Sequence, residues 1–82
     1  MIVSAQVAIY PLRQERLTPA VAAVSAALQA AGLRPEVGAM STMVTGEATA
    51  VFRAIADAFA RAGELGHVVM TVTVSNACPV QT

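Results

Sequence analysis

The sequence has no lysine, no tryptophan and a single cysteine, Cys78. Each absence excludes something. Five arginines balance five acids to a net charge of zero, so the positive balance that a nucleic-acid footprint needs is missing. No polybasic segment is present for an anionic membrane. One cysteine excludes an internal disulfide and any thiolate cluster for zinc or iron–sulfur within one chain. The opening Met1-Ile2-Val3-Ser4 has no positive region ahead of its apolar run, so no secretory signal is expected. The longest apolar stretch, Pro19 to Ala31, is interrupted by Ser25 and Gln29 and is too short to span a bilayer. A cytoplasmic protein without membrane insertion or a nucleic-acid partner is expected. Charge of either sign is also scarce, at 12% of residues against about 25% in an ordinary soluble domain. So little polar cover predicts a homo-oligomer, a dimer or tetramer.

What is present reads as one domain, residues 1–82, built from six short elements. Residues 2 to 10 alternate as a strand, with Val3, Ala5, Val7 and Ile9 on one face and Ser4, Gln6, Ala8 and Tyr10 on the other. Thr18-Pro19 reads as a helix start. Leu17, Val21, Val24 and Leu28 then recur at helical spacing up to a stop at Gly32. Arg34 to Met40 and Ser41 to Thr45 read as two short strands turning near Gly38. Gly46 leads into a second helix, with Glu47 in its first turn. Its predicted buried stripe is Phe52, Ile55, Phe59 and Ala62, and Arg53, Asp57 and Arg61 mark the wet face. The last strand, His67 to Ser75, turns Val68, Met70, Val72 and Val74 to one side and Val69, Thr71 and Thr73 to the other.

Strand–helix–strand–strand–helix–strand is the split βαβ order. It predicts an α+β, ferredoxin-like βαββαβ fold: a four-stranded antiparallel sheet with both helices on one face, as right-handed crossovers require. The other face is then bare. It displays Gln6, Ala8, Tyr10, Val69, Thr71 and Thr73, too apolar to leave wet and too polar for a dry core.

Catalytic chemistry is thin. His67 begins the last strand and Cys78 lies beyond its end, so the two cannot cooperate within one chain. No phosphate-binding or dinucleotide glycine pattern occurs, and no His, Asp and Glu cluster has metal spacing. No catalytic residue, metal or cofactor is expected. Glu36 and Glu47 flank the central hairpin, with Met40 and Met43 beside them.

Three segments resemble the thiamine/hydroxymethylpyrimidine-binding proteins. They are Gln6-Val7-Ala8-Ile9-Tyr10-Pro11-Leu12, then Ser41-Thr42-Met43-Val44-Thr45-Gly46 with Val51-Phe52, and His67 to Ser75 with Cys78-Pro79. They follow the family's order across nearly the whole chain. The resemblance implies the same fold and non-catalytic binding of thiamine or its pyrimidine moiety, in uptake or salvage. This chain carries one repeat, whereas the members it most resembles carry two. An aminopyrimidine needs a few neutral polar groups on an apolar bed, and a thiazolium favours a nearby acid or aromatic face. The expected ligand site is therefore Gln6, Tyr10, Thr42, Met43, Thr45, Glu47, Thr71, Thr73 and Ser75. Two other readings share the topology: a small dimeric enzyme of oxygenase or isomerase type, and an amino-acid-sensing regulatory module.

Overall fold

The computed structural model describes residues 1–13, 18–38 and 41–77. Strand β1 (Ile2–Pro11) leads to helix α1 (Thr18–Ala30), then to β2 (Glu36–Val37), β3 (Thr42–Glu47), helix α2 (Ala48–Gly63) and β4 (Val68–Ser75). The sheet order is β2-β3-β1-β4, with every pairing antiparallel. This is the ferredoxin-like βαββαβ arrangement that the element order predicts, with β2 and β4 as the two edges.

Period-two alternation fixes which strand residues meet the helices. Val3, Ala5 and Val7 of β1 and Thr42 and Val44 of β3 are buried, while Gln6, Tyr10, Met43 and Thr45 are exposed on the opposite face. Between sheet and helices lies a core of small groups: Ala20, Val24, Ala27 and Leu28 from α1, and Val51, Ala54, Ala58 and Ala62 from α2. Leu28 is its largest fully buried side chain.

The second helix corrects the stripe expected from its largest apolar residues. Phe52 and Phe59 are 54% and 46% exposed, and Ile55 is only half-buried. The true contact line is Val51, Ala54, Ala58 and Ala62. Helix separation follows the bulk of the side chains at the contact. Alanines let α2 settle close to the sheet and α1, and that gap has no room for phenylalanine. The rings stand instead on the flank of α2 away from α1. The expected wet face holds: Arg53, Asp57 and Arg61 are exposed, and Arg61 lies 3.5 Å from Asp57.

Other boundaries shift. Only Glu36–Val37 forms β2, because Pro35 before it and Gly38 after it interrupt strand pairing. Gly46 belongs to β3, and Glu47 is the residue that caps α2. The α1 stripe keeps Val24 and Leu28, leaves Val21 half-buried and adds Ala20 and Ala27. Leu17, Met40 and Cys78 lie outside the described residues.

Helix α1 ends in a Schellman motif. Gly32 takes φ +86°, its N–H reaches Gln29 O at 2.9 Å, and the Leu33 N–H reaches Leu28 O at 3.1 Å. Leu33 then turns into the core against Gly46, where an added Cβ would come 2.9 Å from Leu33 Cδ2. This close approach sets where the chain re-enters the sheet. Among the described residues no helix is long and apolar enough to cross a membrane.

Candidate functional site

Strand register divides the nine expected site residues into two groups. Gln6 pairs with both Met43 and Thr73, Ala8 with Thr71, and Tyr10 with Val69. These lie towards the end of the sheet where β1 finishes. Thr45 and Ser75 both pair with Ser4, and Glu47 pairs with Ile2, towards the other end. Tyr10 and Glu47 are about eight residues apart along β1, roughly 27 Å at ~3.4 Å per residue. One small molecule cannot touch both.

At the far end the polar groups are already engaged. The Ser4 and Thr45 hydroxyls lie 3.2 Å apart, and Ser75 Oγ accepts from Ala77 N at 3.0 Å. Glu47 Oε2 accepts from the Met1 amino group at 2.6 Å, and its Oε1 accepts from Thr49 N at 3.1 Å. The Ala48 N–H donates to Met1 O. The first N–H groups at the start of α2 are thus occupied by the chain's own residues. The Met1 ammonium holds the Glu47 carboxyl below its usual value of 4.5, helped by the Thr49 N–H. A depressed carboxyl contributes stability above that range and loses it as pH falls through its folded value. Glu47→Gln should therefore flatten the fall in melting temperature between about pH 5 and pH 3, measured by calorimetry. An unchanged acid limb would show that the contact adds nothing.

The near end is different. A depression of about 220 Å³ on the open face is lined by Gln6, Ala8, Tyr10, Ser41, Thr71 and Thr73. Gln6 Nε2 donates to Ser41 Oγ at 3.1 Å across it. Under α1, on the other side of the sheet, a cavity of about 120 Å³ is walled by Val7, Ile9, Val21, Val24, Val37 and Thr42. Ala8, Tyr10 and Ser41 border both spaces. They adjoin because the β1–β3 ladder ends at Val7 and Thr42, so the last residues of β1 lack a β3 partner among the described residues.

Thr42 differs from the other expected site residues. It shares its face with Val44 and points under the helices, and only 4% of it is exposed. It is the one buried polar residue among those described, and its hydroxyl has no hydrogen-bond partner there. A buried polar group left unmet costs about 1–3 kcal/mol. Ser41 was missed at the sequence level. Its place beside the hairpin turn was the only signal.

Elsewhere, a wide open groove of about 720 Å³ runs between the helices, lined by alanines with Arg53, Asp57 and Arg61. It is larger, but its charges sit on exposed side chains and it offers no buried polar group. The space around His67 holds Leu12, Arg13, Leu65 and Gly66. Among the described residues, no three His, Cys, Asp or Glu side chains gather as metal ligands.

The chain is similar to known proteins in sequence and in fold. The model of a family described as thiamine-binding protein matches residues 5–77. A Streptococcus pneumoniae protein superposes with a TM-score of 0.85 at 24% identity, covering 98% of this chain and 90% of its own. A hypothetical protein from Methanocaldococcus jannascii gives 0.85 at 21% identity, with 98% and 84% covered. A Thermotoga maritima protein, provisionally assigned to thiamine biosynthesis or salvage, gives 0.80 at 17% identity, with 90% and 82% covered. At such identities the structures establish the fold alone. No curated protein matches the sequence. The family match spans nearly the whole chain, across all six elements that build the fold and both spaces at the end of β1, and on that ground the chain belongs to the thiamine-binding protein family.

Proposed function

We propose that the protein binds thiamine or its hydroxymethylpyrimidine moiety in the cytoplasm and releases it unchanged, in uptake or salvage. The observation that carries this reading is the buried, unpartnered Thr42 hydroxyl at an apolar cavity. A methylated aminopyrimidine has the matching chemistry: a flat, largely apolar ring with donor and acceptor nitrogens on its rim. In this reading the ring enters beneath α1 against Val21, Val24 and Ile9, and Thr42 meets one ring nitrogen or the amine. The remainder of the ligand passes Tyr10 and Ser41 onto the open face, towards Gln6, Thr71 and Thr73. Together the two spaces reach the low end of the roughly 300–1,000 Å³ of small-molecule sites. The exposed ring of Tyr10 offers a face to the thiazolium cation. Glu47 is too far along β1 to do so.

The same residues support a reading of binding without turnover. Among the described residues, the two spaces are lined by hydroxyls, an amide and a phenol, without a carboxylate or an imidazole. General acid–base steps most often use an imidazole or a carboxylate.

The test is calorimetry and thermal shift with thiamine, the pyrimidine alcohol and a panel of amino acids. A ligand at a hundred times its Kd stabilises by about 2.7 kcal/mol, which is roughly 10–20 °C in a domain of this size. Thiamine or the alcohol should give such a shift and be recovered intact. Thr71→Val should weaken binding about five- to a hundredfold, the range of one lost hydrogen bond, whereas Arg53→Ala on the helix groove should leave it unchanged. A response to amino acids alone, or a new product after long incubation, would overturn the reading.

A further inference from the structure

We infer that the space between Arg13 and His67, at the end of the sheet, is a phosphate subsite, so that the protein takes a phosphate ester of thiamine in preference to the free alcohol. The inference deepens the reading above and rests on it for the position of the thiazolium.

The argument starts from a strained residue. Arg13 is the one non-glycine residue among those described with a positive φ, at +60°. A Cβ is disfavoured in that conformation, whereas glycine adopts it freely. Strain of this kind persists only where the surrounding structure holds it, and it clusters at ligand sites. Nothing in the fold uses the arginine in return. It is exposed, and its guanidinium makes no hydrogen bond or ion pair among the described residues. Arg61, by contrast, has Asp57 at 3.5 Å.

The strained turn brings Arg13 to His67. The β1–β4 ladder ends with Pro11 opposite Val68, and one further bond follows, from the Leu12 N–H to His67 O at 2.8 Å. The chain turns directly after it. Leu12, Arg13, Leu65, Gly66 and His67 then border an open space of about 230 Å³, with room for a phosphate group. Among the described residues no acid lines it. A guanidinium presents a fork of N–H donors that matches phosphate oxygens, and an imidazole adds a ring N–H.

Position ties this space to the ligand. Alternation along β4 puts His67 on the open face with Val69 and Thr71. Tyr10 pairs with Val69, so His67 lies two residues past Tyr10, roughly 7 Å at ~3.4 Å per residue. Thiamine carries a hydroxyethyl arm on its thiazolium. The two carbons of that arm and an ester oxygen span a gap of this order. A phosphate on the arm therefore falls between Arg13 and His67, while the pyrimidine stays beneath α1 at Thr42. Charge-assisted hydrogen bonds strengthen binding roughly 10–150-fold. Both partners here are exposed, which puts the gain at the low end, about tenfold.

The experiment is calorimetric titration of the whole chain with thiamine, thiamine monophosphate and inorganic phosphate, at low and high salt. The ester should bind about tenfold tighter than thiamine, and the advantage should shrink at high salt. Arg13→Gly should erase that advantage and leave the affinity for thiamine itself unchanged. This variant should melt at the same temperature or up to about 8 °C higher, because glycine relaxes the turn. Arg53→Ala removes the same charge from the groove between the helices and should leave the advantage intact. Equal affinities for thiamine and its phosphate, or an advantage that survives Arg13→Gly, overturn the inference and leave the thiamine reading standing. Inorganic phosphate bound as tightly as the ester makes the space a site for the free anion and also overturns it. Binding of neither thiamine compound overturns the reading of function and this inference together.

Discussion

Replacing Thr42 by valine is expected to raise the melting temperature of the ligand-free protein while weakening ligand binding. The two effects have one cause. Thr42 is 4% exposed and its hydroxyl lacks a partner among the described residues, so folding removes that hydroxyl from water with no return. Valine has nearly the same shape and no polar atom to desolvate. The unmet group costs about 1–3 kcal/mol, and recovering part of that should lift the melting temperature by roughly 4–12 °C in a domain of this size. A bound pyrimidine supplies the missing partner, and losing that hydrogen bond should weaken binding about five- to a hundredfold. Calorimetry of the free variant and titration with the pyrimidine alcohol read the two quantities separately. Opposite signs mark a residue kept for binding at the expense of stability. A variant that melts lower and binds as before would make the hydroxyl structural and remove the main support for the cavity as the binding site.

The element order was legible in the sequence because each strand alternates and each helix stop carries a glycine. Val3, Val7 and Leu28 fall in the core as their spacing predicts. Misreadings arose where bulk was taken as a sign of burial. In α2 the phenylalanines drew the stripe towards themselves, yet a core filled by Ala20, Ala27, Ala54, Ala58 and Ala62 is too thin to hold them. The same property makes the flank of α2 apolar and exposed. Thr42 was selected by resemblance, but its direction was open to simple parity. Val44 must face the core, so Thr42, two residues before it, faces the core as well. Glu47 shows the opposite limit. Its place beside the hairpin motif says nothing about its distance from Tyr10, which is roughly 27 Å at ~3.4 Å per residue, because Glu47 pairs with Ile2 at the opposite end of β1. The unmet Thr42 hydroxyl and the gap past Val7 are properties of packing and register. No single-residue pattern encodes them.

Leu28→Ala is expected to be the most damaging single truncation in the core. Leu28 is the largest fully buried side chain, and the other fully buried residues of the core are valines and alanines. Small neighbours on tightly seated helices have little reach with which to fill a void, so relaxation should be limited. Leucine truncations of this kind cost about 2–5 kcal/mol, rising with the cavity left behind. An 82-residue domain has roughly 4–12 kcal/mol of stability in all. The melting temperature should therefore fall by about 10–25 °C, with part of the population unfolded at 37 °C. The Schellman bond from Leu33 N to Leu28 O uses the backbone and survives the change, so α1 should keep its length. Phe59→Ala removes more atoms and supplies the comparison. It should cost only about 0.8–1.6 kcal/mol, roughly half of what full burial contributes, because its ring is already 46% exposed. The smaller side chain should thus matter more than the larger one. Denaturant midpoints of both variants at matched slope test that ordering. If Phe59→Ala proves the more damaging, α2 is rotated about its axis, and its contact line of Val51, Ala54, Ala58 and Ala62 is wrongly assigned.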